Sequence, residues 1–215
     1  MGLGTPLRAW GVLGGTFDPV HFAHLAIAEQ TREALDLETV LFVPAGIPPH
    51  KRDQLVTGTS HRVVMLELAI AGNPCFRLSR LEVDRPGPSY AVDTVGELAK
   101  RSRSEGRPEP VMILSAEALR GLNTWRDPER VLDLCRVAVV PRRGYPTPGP
   151  PWLAEHFPGR EARFTFLDGP DLGHSASDIR RRASEGRSIR YLVPEAVESY
   201  IAEHALYPPH LWSKN

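Results

Sequence analysis

The chain has 215 residues, with 26 Lys plus Arg against 26 Asp plus Glu and a formal net charge of zero. That balance excludes a general nucleic-acid coat and an anionic-membrane binder, both of which need a large cationic excess. A composition 41% apolar and 24% charged is that of a globular protein, and the length fits one domain over residues 1–215.

Residues 1–6 lack the charged region and apolar core of a secretory signal, and no apolar run approaches the roughly 20 residues that span a bilayer. Short, continuously apolar runs at 9–13, 40–43, 111–114, 137–140 and 164–167 predict strands buried on both faces. Helical patterns fall near 19–35, 60–72, 90–103, 116–122, 127–135, 176–185 and 194–204. Alternation of this kind predicts a doubly wound parallel α/β sheet that binds ligands at the carboxyl ends of its strands. No internal repeat or domain boundary interrupts it. Residues 141–151, rich in Pro and Gly, read as an extended surface loop within the one domain. Cys75 and Cys135 have no CxxC spacing, which argues against a disulfide scaffold and a cysteine zinc site; with no export signal, the cytoplasm is expected. Both thiols read as packing groups, as do Trp10, Trp152 and Trp212.

The first informative stretch is Gly14-Gly15-Thr16-Phe17-Asp18-Pro19-Val20-His21-Phe22-Ala23-His24, which follows a strand and opens a helix. Asp18 suits the N-cap and Pro19 the first helical position, where its missing N–H costs nothing. Gly14 and Gly15 let the backbone approach whatever lies at the strand end. The helix N-terminus offers unpaired N–H groups and a positive dipole end to an anion. His21 and His24 stand at i, i+3 on one face. As zinc ligands they would need a third His or a carboxylate, which no local motif supplies. As plain structural histidines they would not need the glycines. As donors to phosphate oxygens they fit the anion site, and that reading is favoured.

The second stretch is Gly173-His174-Ser175-Ala176-Ser177-Asp178-Ile179-Arg180, again before a helix. Ser175 and Asp178 have capping-box spacing, with Ser177 and Arg180 on the first turn. Alone this is a capped surface helix. Beside the first stretch it gains weight, because two helix N-termini could grip a polyphosphate.

The first stretch resembles the GGxFDPxHxGH signature of the bacterial nicotinate-nucleotide adenylyltransferases. The resemblance continues in order through Val43-Pro44-Ala45-Gly46-Ile47-Pro48-Pro49-His50-Lys51 and the SY-x-VDT segment of Ser89, Tyr90, Val92, Asp93 and Thr94. It extends through Leu119, Leu122 and Trp125 to Ser175–Arg180 and the run Ile189-Arg190-Tyr191-Leu192-Val193-Pro194, so it covers residues 10–207. It implies a Rossmann-like sheet of nucleotidyltransferase type with a C-terminal helical segment. It implies transfer of AMP from ATP to nicotinate mononucleotide, with neither nucleic acid nor membrane as partner.

By the same resemblance His21, His24, Lys51 and Arg180 are the catalytic residues. Gly14, Gly15, Thr16, Phe17, Ser175, Ser177 and Arg180 bind ATP. Gly15, Phe17, Tyr90, Ala91, Glu117, Trp125 and Arg126 bind the mononucleotide, with Trp125 stacked on the pyridine and N–H groups near Ala91 and Arg126 on its carboxylate. Mg²⁺ is expected on ATP, with no metal site in the protein. Four departures bear on substrate preference: Ala23 for Gly, Ala91 for Thr, Ser115-Ala116-Glu117 for Gly-Ala-Asp, and His174-Ser175-Ala176-Ser177 for Ile-Ser-Ser-Thr. They keep open an acceptor such as nicotinamide mononucleotide or another phosphate monoester, and a nucleotide-binding module without turnover.

Overall fold

The computed structural model describes residues 7–46, 56–169 and 172–212. The chain begins with β1 (Trp10–Gly15), α1 (Phe22–Ala34), β2 (Thr39–Pro44), α2 (Thr59–Ile70), β3 (Phe76–Leu78) and α3 (Ala91–Ser104). It continues through β4 (Val111–Ser115), α4 (Ala116–Gly121), α5 (Pro128–Leu134), β5 (Arg136–Val140) and α6 (Pro150–His156). Last come β6 (Phe164–Phe166), α7 (Ala176–Ser184), α8 (Glu195–Glu203) and α9 (Pro209–Trp212). The strands form a six-stranded sheet in the order β3-β2-β1-β4-β5-β6, the doubly wound arrangement expected from the alternation. The ladders β1–β4, β4–β5 and β5–β6 are parallel; along β4 and β5 the register runs from Val111 opposite Arg136 to Ser115 opposite Val140.

Three elements differ from the sequence expectation. β3 is only Phe76-Arg77-Leu78, too short and too interrupted to show as an apolar run. α6 begins inside the expected loop, because Pro150 and Pro151 occupy its first turn, where a proline gives up no helical hydrogen bond. α9 adds a last turn beyond the expected helices. Among the described residues no helix is long and apolar enough to cross a membrane.

Two compact units emerge from internal packing. Of the described residues, the first holds 7–13, 27–41 and 90–169, and the second holds 14–26, 42–46, 56–89 and 172–212. In the first, Val95 of α3, Met112 and Leu114 of β4, Leu132 of α5, Val137 and Val139 of β5 and Phe157 form one buried cluster. Each such large side chain contributes about 1.5–3 kcal/mol by leaving water. Cys135 lies inside this cluster, and burial pushes its thiol up to about 12, which makes it the inert packing group expected. In the second, Phe42 packs edge-on against Phe76, with centroids 5.0 Å apart. There α2 lies against α8, and α7 against α9.

Candidate active site

Gly14 and Gly15 end β1 and lead into the first motif. A Cβ at Gly14 would meet open space, whereas one at Gly15 would come within 3.1 Å of the Phe17 ring. The close approach that requires glycine is therefore at Gly15, and the neighbour is the motif's own phenylalanine. Phe17 is 2% exposed, its ring edge-on to His24 at 5.0 Å and tilted against Phe42 at 5.9 Å. Its side chain is core. The Thr16 carbonyl accepts from a guanidinium nitrogen of Arg62.

Asp18 and Pro19 do not open the helix, contrary to the sequence reading: α1 starts at Phe22. The Asp18 carboxylate is turned inward, where it accepts from the Thr57 N–H at 3.0 Å and the Tyr207 hydroxyl at 2.8 Å. His21 takes the capping place. Its carbonyl receives the N–H groups of His24 and Leu25, and its own N–H donates to Nδ1 of His24 at 3.2 Å. A side chain three residues on reaching back to the cap N–H is one half of a capping box. The two imidazoles are stacked, 3.8 Å between centroids, with His21 buried and His24 half-buried. Because Nδ1 of His24 accepts, the neutral ring carries its proton on Nε2 and presents that N–H as a donor.

Ser175 caps α7 as expected, its hydroxyl accepting from the Asp178 N–H at 3.1 Å. The second half of that box is absent, since the Asp178 carboxylate pairs with Arg181 instead. Arg180 donates to the Asp18 carbonyl at 2.6 Å and to the Ser177 hydroxyl at 3.2 Å, so it is tied to the first motif. Its guanidinium carbon lies 4.5 Å over the Trp212 ring, a cation–π contact. Lys51 and the PPHK end of the second motif lie outside the described residues.

The residues expected to hold the mononucleotide are in the first unit, apart from Gly15 and Phe17. Tyr90 is the N-cap of α3 and makes no side-chain cap; its carbonyl takes the Asp93 N–H at 3.1 Å, which leaves the N–H groups of Ala91 and Val92 without an intrahelical acceptor. The Arg126 guanidinium lies 4.6 Å over the Tyr90 ring, bringing those two residues together. Ala91, Val92 and Trp125 are half-buried against the same core cluster. Ser115 caps α4 through the Ala118 N–H, and Glu117 is drawn into an ion pair with Arg142 at 2.8 Å. Among the described residues, no group of three or more His, Cys, Asp or Glu side chains could hold a metal ion.

Sequence reading missed Arg62, Asp18 as an internal anchor, and Tyr207. Arg62 carried a usable signal: it stands in helical register with Leu66 and Ile70, on the buried stripe of α2. A charge on an apolar stripe is a residue held for its hydrogen bonds. Tyr207 gave none, because its partner Asp18 is 189 positions away.

Comparison with known proteins bears on this arrangement. The model of the Cytidylyltransferase-like family matches residues 12–182. A protein of Roseiflexus sp. strain RS-1, named probable nicotinate-nucleotide adenylyltransferase, is 46% identical over 197 residues, covering 92% of this chain and 96% of its own. One of the same name from Thermomicrobium roseum is 44% identical over 197 residues, covering 92% of this chain and 90% of its own. The structure of Plasmodium falciparum nicotinic acid mononucleotide adenylyltransferase complexed with APC has a TM-score of 0.74 at 15% identity, covering 94% of this chain and 97% of its own, a likeness of fold.

Proposed function

The chain belongs to the nicotinate-nucleotide adenylyltransferases, within the Cytidylyltransferase-like family, and on that premise we propose that it transfers AMP from ATP to nicotinate mononucleotide, giving deamido-NAD and pyrophosphate. A phosphate oxygen of the mononucleotide attacks the α-phosphorus in line. The new O–P bond forms as the bond from the α-phosphorus to the bridging oxygen breaks, and pyrophosphate leaves with that electron pair. No protein nucleophile takes part, so the rate comes from positioning and charge stabilisation.

The observation that carries this reading is the stacked His21–His24 pair at the start of α1, the helix that follows β1. It supports a donor role for Nε2–H of His24 toward the α-phosphate, where charge shifts during transfer. His21 would act beside it, with Gly14, Gly15, Thr16 and Phe17 along the nucleotide. Arg180 and Ser177, with the cap at Ser175, would hold the phosphate tail, and Lys51 would add cationic charge. Mg²⁺ would arrive as part of the ATP substrate. Trp125 would stack on the pyridine, and the first-turn N–H of Ala91, with Arg126, would receive the carboxylate; Gly15, Phe17, Tyr90 and Glu117 are the other residues proposed for the mononucleotide.

The experiment is pyrophosphate release from ATP with nicotinate mononucleotide, nicotinamide mononucleotide or phosphopantetheine as acceptor. Release fastest with the first acceptor is expected. The methyl of Ala91 keeps the second acceptor in view, because it offers no hydroxyl donor. Release with none of the three would overturn the reading in favour of a nucleotide-binding module.

A further inference from the structure

We propose that Arg62 is a positioning residue for this reaction, fixing the peptide orientation where the chain leaves β1 and β2; the inference rests on the adenylyl-transfer reading above. Arg62 is 1% exposed and uses its whole fork. Its Nη1 donates to the Thr16 carbonyl at 2.7 Å, and its Nε to the Thr57 carbonyl at 3.0 Å. Its Nη2 donates to the Ala45 carbonyl at 2.8 Å, the Gly46 carbonyl at 3.4 Å and the Thr59 hydroxyl at 3.1 Å. Among the described residues no carboxylate accepts a hydrogen bond from it.

A buried cation of this kind is a poor device for stability alone, because desolvation opposes it and a well-packed apolar side chain commonly serves as well. Burial draws the Arg62 guanidinium below its ordinary value, and the fields of Asp18 and Tyr207 oppose that. What the group does instead is geometric. In a trans peptide the carbonyl and the following N–H point to opposite sides. Holding the Thr16 and Ala45 carbonyls on the guanidinium turns the Phe17 and Gly46 N–H groups away from it. The Ala45 N–H is fixed in turn on the Gly15 carbonyl at 2.8 Å, which locks the two strand exits together. Gly46 is wedged as well: a Cβ there would fall 2.3 Å from the Glu82 carbonyl oxygen. Outward N–H groups at the carboxyl ends of parallel strands are what an anionic ligand needs. One internal cation thus aims two peptide dipoles without touching substrate.

The test compares Arg62→Lys and Thr59→Val with the parent. Lysine keeps the charge and loses the fork; valine leaves Arg62 in place and removes one of its acceptors. Arg62→Lys is expected to lose about tenfold to a hundredfold in kcat/KM, mostly as a raised KM for ATP, while the KM for the mononucleotide changes little. Thr59→Val should raise the KM for ATP a few-fold. A residue that only stabilises would lower Tm and leave both KM values of the folded enzyme at the parent's, and that result overturns the proposal. Should Arg62→Lys fail to fold, Thr59→Val decides, an unchanged KM for ATP counting against. The Tm shift produced by ATP alone needs no turnover. A smaller shift in the variants supports the proposal and an equal shift overturns it, even if the parent releases no pyrophosphate and the functional reading itself has failed.

Discussion

The main-chain N–H of His21 donates to Nδ1 of His24 over 3.2 Å, and the two imidazoles stack with centroids 3.8 Å apart. One histidine thereby fixes the tautomer of the other. With Nδ1 used as acceptor, neutral His24 carries its proton on Nε2.

His24→Ala should accordingly lower kcat by on the order of 10²-fold while the KM for ATP moves little, the scale for removing one preorganised donor. Truncation also removes the acceptor for the His21 N–H, so Tm should fall as for a lost cap, by about 0.5–2 kcal/mol of stability. His24→Asn separates the two effects, since its carbonyl can occupy the Nδ1 place without supplying the donor beyond it. Tm restored with kcat still low is the expected result. Near-parent kcat in either variant would remove His24 from the chemistry.

Trp125 is half-buried against the core that also supports Ala91 and Val92. Replacing it with Ala should raise the KM for the mononucleotide by an amount worth on the order of 1–3 kcal/mol, by analogy with base–aromatic stacking, and leave the KM for ATP nearly unchanged. Trp125→Phe should fall between. A shift confined to ATP would assign the ring to the other substrate.

Tyr207 donates its hydroxyl to Asp18 at 2.8 Å, and both residues are buried. Tyr207→Phe leaves the carboxylate with one donor fewer, which should cost about 1–3 kcal/mol at neutral pH. Burial first, and then the Asp18 charge, hold the phenol well above its ordinary value. Above about pH 10 the unfolded chain therefore releases this proton before the native one does. The contribution is whole below that pH and drains away as pH rises toward the native value. Urea midpoints for parent and variant from pH 7 to 11 should converge at the alkaline end. Curves that stay parallel would show that the phenol does not couple to folding.

What the sequence made legible follows from range. β4 and β5 read directly, because strands covered on both faces are continuously apolar. The Ser175 cap read directly too, since its partner is the N–H three residues on. The inward turn of Asp18 did not, because its partners Thr57 and Tyr207 lie 39 and 189 positions away. A helix N-cap was the best local use of that residue, and a long-range contact outcompeted it. Arg180 was legible as a phosphate-binding candidate but not as the residue that reaches Asp18, 162 positions back. Glu117, read by resemblance as facing the nucleotides, is paired with Arg142, which no local pattern links to it.

Acid-over-amide preference turns on Ala91, the first residue of α3. Tyr90 caps that helix without a side-chain hydrogen bond, and its carbonyl takes the Asp93 N–H, so the Ala91 and Val92 N–H groups are the ones without an intrahelical acceptor, at the positive end of the helix dipole. A nicotinate carboxylate meets such donors in charge-assisted bonds. The amide of nicotinamide cannot satisfy two of them, because one of its two positions is itself a donor. A donor left unpaired in a closed site costs about 1–3 kcal/mol, enough for roughly tenfold to a hundredfold discrimination. Acid should therefore be preferred even without a hydroxyl at this position. Ala91→Thr should sharpen the preference, since its hydroxyl adds a donor on the helix turn that already offers main-chain N–H groups. The measurement is kcat/KM for nicotinate and nicotinamide mononucleotides in parent and variant. Equal values for the two acceptors in the parent would mean that the α3 amides do not receive the carboxylate.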